Sequence, residues 1–134
     1  METTQTLKIK ILDLLKRYSD YGKDLYLTDL SYLIPEIKGE YSSYLPINKL
    51  NKNPNIIIMQ GISREMIKTF QQMLSSNIIK ITYHEMIFMN MMFDNAIILN
   101  LPLANEKSFR NKEICWNPFR IELNINNNPN GPIL

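Results

Sequence analysis

At 134 residues the chain has the length of one domain, and its 45% apolar and 21% charged residues exclude wholesale disorder. Fifteen Lys and Arg against thirteen Asp and Glu leave a formal charge of +2. The charges are spread evenly, so no basic arm or acidic tail marks an electrostatic partner. Cys115 is the single cysteine and excludes an intrachain disulfide. No apolar run approaches the roughly 20 residues of a membrane helix, and no basic stretch followed by an apolar one opens the chain. These features predict a cytoplasmic protein, or a nuclear one in a eukaryote, that does not enter membranes. Twenty Ile, 16 Asn and 11 Lys suggest AT-rich codons, which concerns the source genome and not the function.

Thr3 or Thr4 can cap a first helix over about residues 4–20, with Leu7, Ile11, Leu14, Leu15 and Tyr18 on one stripe and Gly22 closing it. Leu25-Tyr26-Leu27 reads as a very short strand. Thr28 then caps a short second helix carrying Leu30, Leu33 and Ile34, which Pro35 ends. Residues 36–55 contain Gly39, Pro46, Pro54 and many Asn and Ser, and read as a long connection with a helical turn near Tyr41 to Leu45. Structureless connections of that length often carry function. Asn55 to Met59 reads either as a buried strand or as the lead-in to the next helix.

The strongest pattern follows. Ser63 is a good N-cap, Glu65 suits a positive helix end, and Met66, Ile67, Phe70, Met73 and Leu74 repeat at helical spacing. A third helix is predicted at about 63–76, stopped by Asn77. Ile78 to Thr82 reads as a strand. Glu85 to Met92 and Ala96 to Leu101 read as two more, joined in a hairpin at Phe93-Asp94-Asn95. After a polar loop over 102–112, Ile114 to Trp116 reads as strand-like. Phe119, Ile121 and Leu123 alternate with polar residues, as in a strand with one buried face. Trp116, Phe119 and Tyr83 are expected to anchor this C-terminal strand. Residues 1–123 are expected to form a single globular domain, and 124–134 a loose tail.

The order helix, strand, helix, helix, strand, hairpin resembles the winged helix-turn-helix domains. The resemblance is carried by Gly61-Ile62-Ser63-Arg64-Glu65-Met66-Ile67, by Met73-Leu74 and by Asn77-Ile78-Ile79-Lys80-Ile81, and covers roughly residues 5–35 and 61–101. It implies an α+β, winged-helix-like fold with three helices packed on a small antiparallel sheet or hairpin. The chain departs from the family in the roughly 28 residues between its second and third helices, where a short turn is usual, and in its unusually apolar wing strands. Members that bind DNA commonly insert the third helix into the major groove. The matching outward positions are Ser63, Arg64, Lys68, Thr69, Gln71, Gln72 and Ser75. Arg and Gln can read guanine and adenine edges, and Lys68 and Ser75 can hold phosphate. The same residues also suit the solvated face of an ordinary surface helix, and winged helices serve widely as protein-interaction modules.

No residue pattern announces chemistry. Cys115 and His84 are each alone of their type, and Ile114 and Trp116 beside Cys115 favour a buried, inert thiol. His84-Glu85 begins like a zinc-protease motif, but Phe88 stands where the second histidine belongs. Four scattered glycines make no phosphate loop, and nothing selects Glu85, Asp94 and Glu113 as a carboxylate set. No enzyme activity, metal or cofactor is expected. Met86, Met89, Met91 and Met92 share one predicted strand, apolar on both faces. That suits either a covered central strand or a pliable surface for a partner or a second copy. Tyr41-Ser42-Ser43-Tyr44 is a second candidate contact segment. The sequence therefore predicts a non-enzymatic interaction domain, an adaptor or inhibitor, that binds a protein partner through Tyr41, Tyr44, Met89 and Met91, with homodimerisation through the Met-rich segment. The alternative is a DNA-binding transcriptional regulator using Arg64, Lys68, Thr69, Gln71 and Gln72.

Overall fold

The computed structural model describes residues 2–44, 56–104 and 114–124. Within them the chain is α+β, with four α-helices and two three-stranded sheets. The predicted stripe of Leu7, Ile11, Leu14 and Leu15 is buried along α1 (Glu2–Asp20). Gly22 closes that helix at φ 66°, with its own N–H on the Ser19 carbonyl and the Lys23 N–H on the Tyr18 carbonyl. This is a Schellman motif, which satisfies two terminal carbonyls through one left-handed residue.

β1 (Leu25–Tyr26) leads through a 3₁₀ turn (Leu27–Asp29) into α2 (Leu30–Leu33), and Pro35 opens a further 3₁₀ turn ending at Ile37. Thr28 does not cap α2: its hydroxyl donates 2.6 Å to the Ile97 carbonyl in a tertiary bond, and Asp29 holds the N-cap position. The expected connection begins as a strand, β2 (Lys38–Tyr44), paired antiparallel with β3 (Ile56–Ile62). No helical turn forms at Tyr41, because ladder bonds to β3 take its backbone; Leu45 and the rest of the connection lie outside the described residues. Asn55 precedes β3, whose Ile56 to Met59 are all buried, so of the two readings of this segment the strand holds.

α3 (Arg64–Ser75) has the predicted cap: Ser63 Oγ accepts from the Met66 N–H at 3.1 Å. Asn77 stops it at φ 58°, in a second Schellman motif with bonds to Leu74 and Met73. β4 (Ile79–Thr82) follows as expected.

The predicted hairpin does not exist. Glu85 to Met92 is not a strand: α4 (Ile87–Phe93) occupies most of it, and Ala96 to Leu101 has no strand structure. Asn95 has the positive φ (57°) of a turn residue, but it is used to end a helix, with Asn95 and Ala96 donating to Met92 and Met91. Methionine is a good helix former, and Ile87 and Met91, four apart, lie inward together. Among the described residues there are thus four α-helices where three were expected.

β5 (Cys115–Trp116) pairs in parallel with β3, and β6 (Arg120–Leu123) pairs antiparallel with both β1 and β4. One sheet therefore has the order β1-β6-β4 and the other β2-β3-β5. The main core joins α1, α2, α3, β3, β4 and β6 through residues such as Ile11, Leu30, Ile58, Phe70, Ile79 and Ile121. Phe119 packs on it and meets Tyr83 edge to face at 6.2 Å. Trp116 belongs instead to a smaller core with Tyr26, Ile87 and Met91. The loose tail expected over 124–134 lies outside the described residues except for Asn124, whose N–H bonds Ile78.

Of the described glycines, Gly39 has the least room. A Cβ there would stand 2.6 Å from both the Ile62 carbonyl oxygen and Ser63 Cα, and those are backbone atoms that cannot swing away. Gly39→Ala is expected to cost about 1–3 kcal/mol by overpacking, and Ser63→Ala about 1 kcal/mol by loss of the cap. Urea denaturation measures both. A Gly39→Ala protein as stable as the parent would contradict the close approach of β2 to the start of α3.

Candidate interaction surfaces

α3 presents the first surface. Burial of Met66, Phe70 and Met73 turns Arg64, Lys68, Gln71, Gln72 and Ser75 outward, as the helical period requires. Thr69 does not belong with them. It is 1% exposed, and its hydroxyl donates 2.7 Å to the Glu65 carbonyl one turn back. A β-branched threonine can hide its hydroxyl in this way, so it sits at the inner edge of the stripe where pattern reading places it outside. Lys68, Gln71, Gln72, Ser75 and Ser76 line a groove of about 630 Å³ with Thr4 of α1.

Arg64 is engaged within the molecule. Its Nη2 donates 2.8 Å to the Tyr41 hydroxyl, and its guanidinium lies 5.2 Å from the centre of that ring. The structure thus brings together two residues that the sequence assigned to separate surfaces. Tyr44 is exposed farther along β2. Among the other cations, Arg120 bonds Asp24 and Glu122, Lys80 approaches Glu122 at 3.7 Å, and Lys10 pairs with Glu36. Positive charge on the β1-β6-β4 sheet is therefore matched by carboxylates.

The second surface is on α4. Met91 cannot contact a partner, being fully buried beside Trp116. Met89 can, and so can Met86, Met92 and Phe93, which lie at helical spacing on the outer side. Phe93, which the sequence reading passed over as a turn residue, is 80% exposed and is the most prominent of them.

α4 is held to the body by side chains from the β1–α2 segment. The Tyr26 hydroxyl donates 2.7 Å to Asp94 Oδ2, and Asp29 Oδ1 accepts from the Ile97 N–H at 2.9 Å, beside the Thr28 bond to the Ile97 carbonyl. Burial, followed by the bond to Asp94 and the charges of Asp94 and Asp24, holds the Tyr26 phenol well above its ordinary value, so it stays a donor. Burial also raises the Asp29 carboxyl; the Ile97 N–H opposes this and the Asp94 charge adds to it. Sequence reading missed this set because its partners stand 68 and 69 residues apart and no local pattern links them.

Cys115 is buried on β5. The His84 Nδ1 accepts from the Met86 N–H at the entrance to α4. No group of three or more His, Cys, Asp or Glu is placed to hold a metal among the described residues. No described helix is long and apolar enough to cross a membrane. In comparisons with known proteins, the chain matches no family model, no curated protein and no solved structure at a significant level.

A raised Asp29 pKa means that the folded state binds the proton more tightly than the unfolded one. Its contribution to stability is present in acid and is lost as pH climbs from the ordinary Asp value of about 3.9 through the raised value. Asp29→Asn keeps the acceptor for Ile97 and removes the charge. It is expected to equal or exceed the parent in stability at pH 7 and to lose that advantage below about pH 4. Denaturation across pH reads the difference, and a pH-independent gap would refute it.

Proposed function

We propose that this chain is a non-enzymatic interaction domain of winged-helix-like architecture, an adaptor or inhibitor that works by covering a protein partner's surface inside the cell. The observation that carries the reading is the outward stripe of Met86, at the N-cap of α4, with Met89, Met92 and Phe93 on the helix. Large flexible apolar side chains exposed side by side on a short helix do little for the fold and much for association, because a partner removes them from water. The architectural part is supported by strand order. β1, which follows the first helix, lies in one antiparallel sheet with β4 and β6, which both follow α3. The β2–β3 strands then stand as an insertion before α3, and α4 with β5 as an insertion between the two closing strands.

Recognition of duplex DNA by α3 is the second reading, favoured by the polar groove beside Lys68, Gln71 and Gln72. It ranks lower because Arg64 is turned onto Tyr41 and the cations of the β1-β6-β4 sheet are matched by carboxylates. A DNA site draws its affinity from cations free to displace counterions.

Affinity capture from the native host with the parent and a Met89→Gln/Phe93→Gln double variant tests the first reading. The expected result is a partner retained by the parent and lost by the variant; equal capture would remove α4 from the function. Titration of labelled duplex DNA at low salt separates the second reading. The expected result is no saturable binding, and tight binding weakened by Lys68→Ala would reverse the ranking.

A further inference from the structure

The chemistry around the α4 stripe says what kind of partner it fits. Met86, Met89, Met92 and Phe93 fall at i, i+3, i+6 and i+7, so they form one ridge rather than scattered points. Taking about 200 Å² for a fully exposed side chain of this size, their exposures amount to about 450 Å². That is the size of the largest apolar patch on a typical monomer, about 300–600 Å², and such patches often serve binding. The charged residues that flank it along the chain have one sign. Glu85 stands just before the ridge and Asp94 just after it, with Asp29 close enough to Asp94 for the two charges to interact. From residue 83 to residue 104 the chain has no Lys or Arg.

From this juxtaposition we infer that the α4 ridge receives an amphipathic helix with an apolar face and a basic rim, supplied by another protein. This rests on the reading of α4 as a partner surface and specifies the partner. A second copy fits less well, because a symmetric contact through α4 brings two sets of carboxylates together with no Lys or Arg from 83–104 to offset them. In a basic helix the apolar face covers the methionines, which repack around it, while Lys or Arg at its edges meets Glu85 and Asp94.

The test uses the full chain with methyl-labelled methionine and three synthetic 18-residue peptides. These are a Leu/Lys sequence with leucines at helical spacing, the same composition reordered to destroy that spacing, and a Leu/Glu counterpart of the first. The expected result is saturable binding of the ordered Leu/Lys peptide alone. The Met89 and Met92 methyl signals should move and those of the core residues Met66 and Met73 should not. Phe93→Gln, at a site exposed enough to leave the fold intact, should weaken binding about tenfold or more, as should Met89→Gln. Equal binding of the Leu/Glu peptide, equal binding of the reordered peptide, or shifts confined to other methionines would each overturn the inference. Light scattering that shows a dimer dispersed by Phe93→Gln would overturn it in favour of a second copy. If affinity capture still depends on Met89 and Phe93 while no peptide binds, the interaction-domain reading stands and the basic-helix inference falls. If capture is also unaffected, both fall.

Discussion

The junction at Ile62–Ser63 is the constraint on which the rest of this fold depends. The Ser63 N–H donates to the Ile37 carbonyl at 2.6 Å, its hydroxyl caps α3, and its Cα lies against Gly39 with no room for a side chain between them. One residue thus ends β3, starts α3 and fixes the strand that precedes β3. The direction of α3 is set there, and with it the outward aim of Lys68, Gln71 and Gln72. Arg64, the first residue of the helix, reaches Tyr41 because β2 is clamped beside the helix start. The two sheets share no strand, but β3 and β6 both feed the core under α1, so the junction also couples them.

α4 depends on a different arrangement. It is short, and a seven-residue helix has little stability of its own. Ile87 and Met91 bury against Trp116 and Tyr26, Phe88 meets the Trp116 ring edge to face at 6.1 Å, and Asp94 and Ile97 are tied to Tyr26, Thr28 and Asp29. Trp116 Nε1 is buried without an acceptor among the described residues, and a buried donor left so costs about 1–3 kcal/mol, which the packing of the ring must exceed. The exposed ridge stands on a helix whose inner side is anchored in this way. A presented apolar surface that is already ordered binds with less entropy loss than a loop carrying the same residues.

The two surfaces divide the chemistry between them. The α3 face is polar, carries Lys68 and borders a groove; the α4 ridge is apolar and flanked by carboxylates. Of the proton-binding groups that the fold perturbs, Tyr18 stands on α1, and Tyr26 and Asp29 are hydrogen-bonded tethers that hold α4 in place.

The sequence by itself determined what local pattern can determine. α1 and α3, their caps at Gly22, Ser63 and Asn77, the strand at 79–82 and the buried Cys115 were legible because each follows from apolar period and capping chemistry within a few residues. Segments whose period is masked were not legible. β2 carries register shifts that break the two-residue alternation, and α4 is apolar outside as well as inside, so its 3.6-residue period leaves no contrast to read. Asn95 misled for a physical reason: a left-handed asparagine serves a hairpin turn and a helix end equally well, and only what lies beyond it decides which. The division of the methionines into buried Met91 and exposed Met89, the burial of Thr69, the meeting of Arg64 with Tyr41 and the tethering of α4 were decided by tertiary structure alone. Each depends on which distant surface a side chain finds when the chain closes, and the pairs that meet are separated by tens of residues that carry no shared pattern.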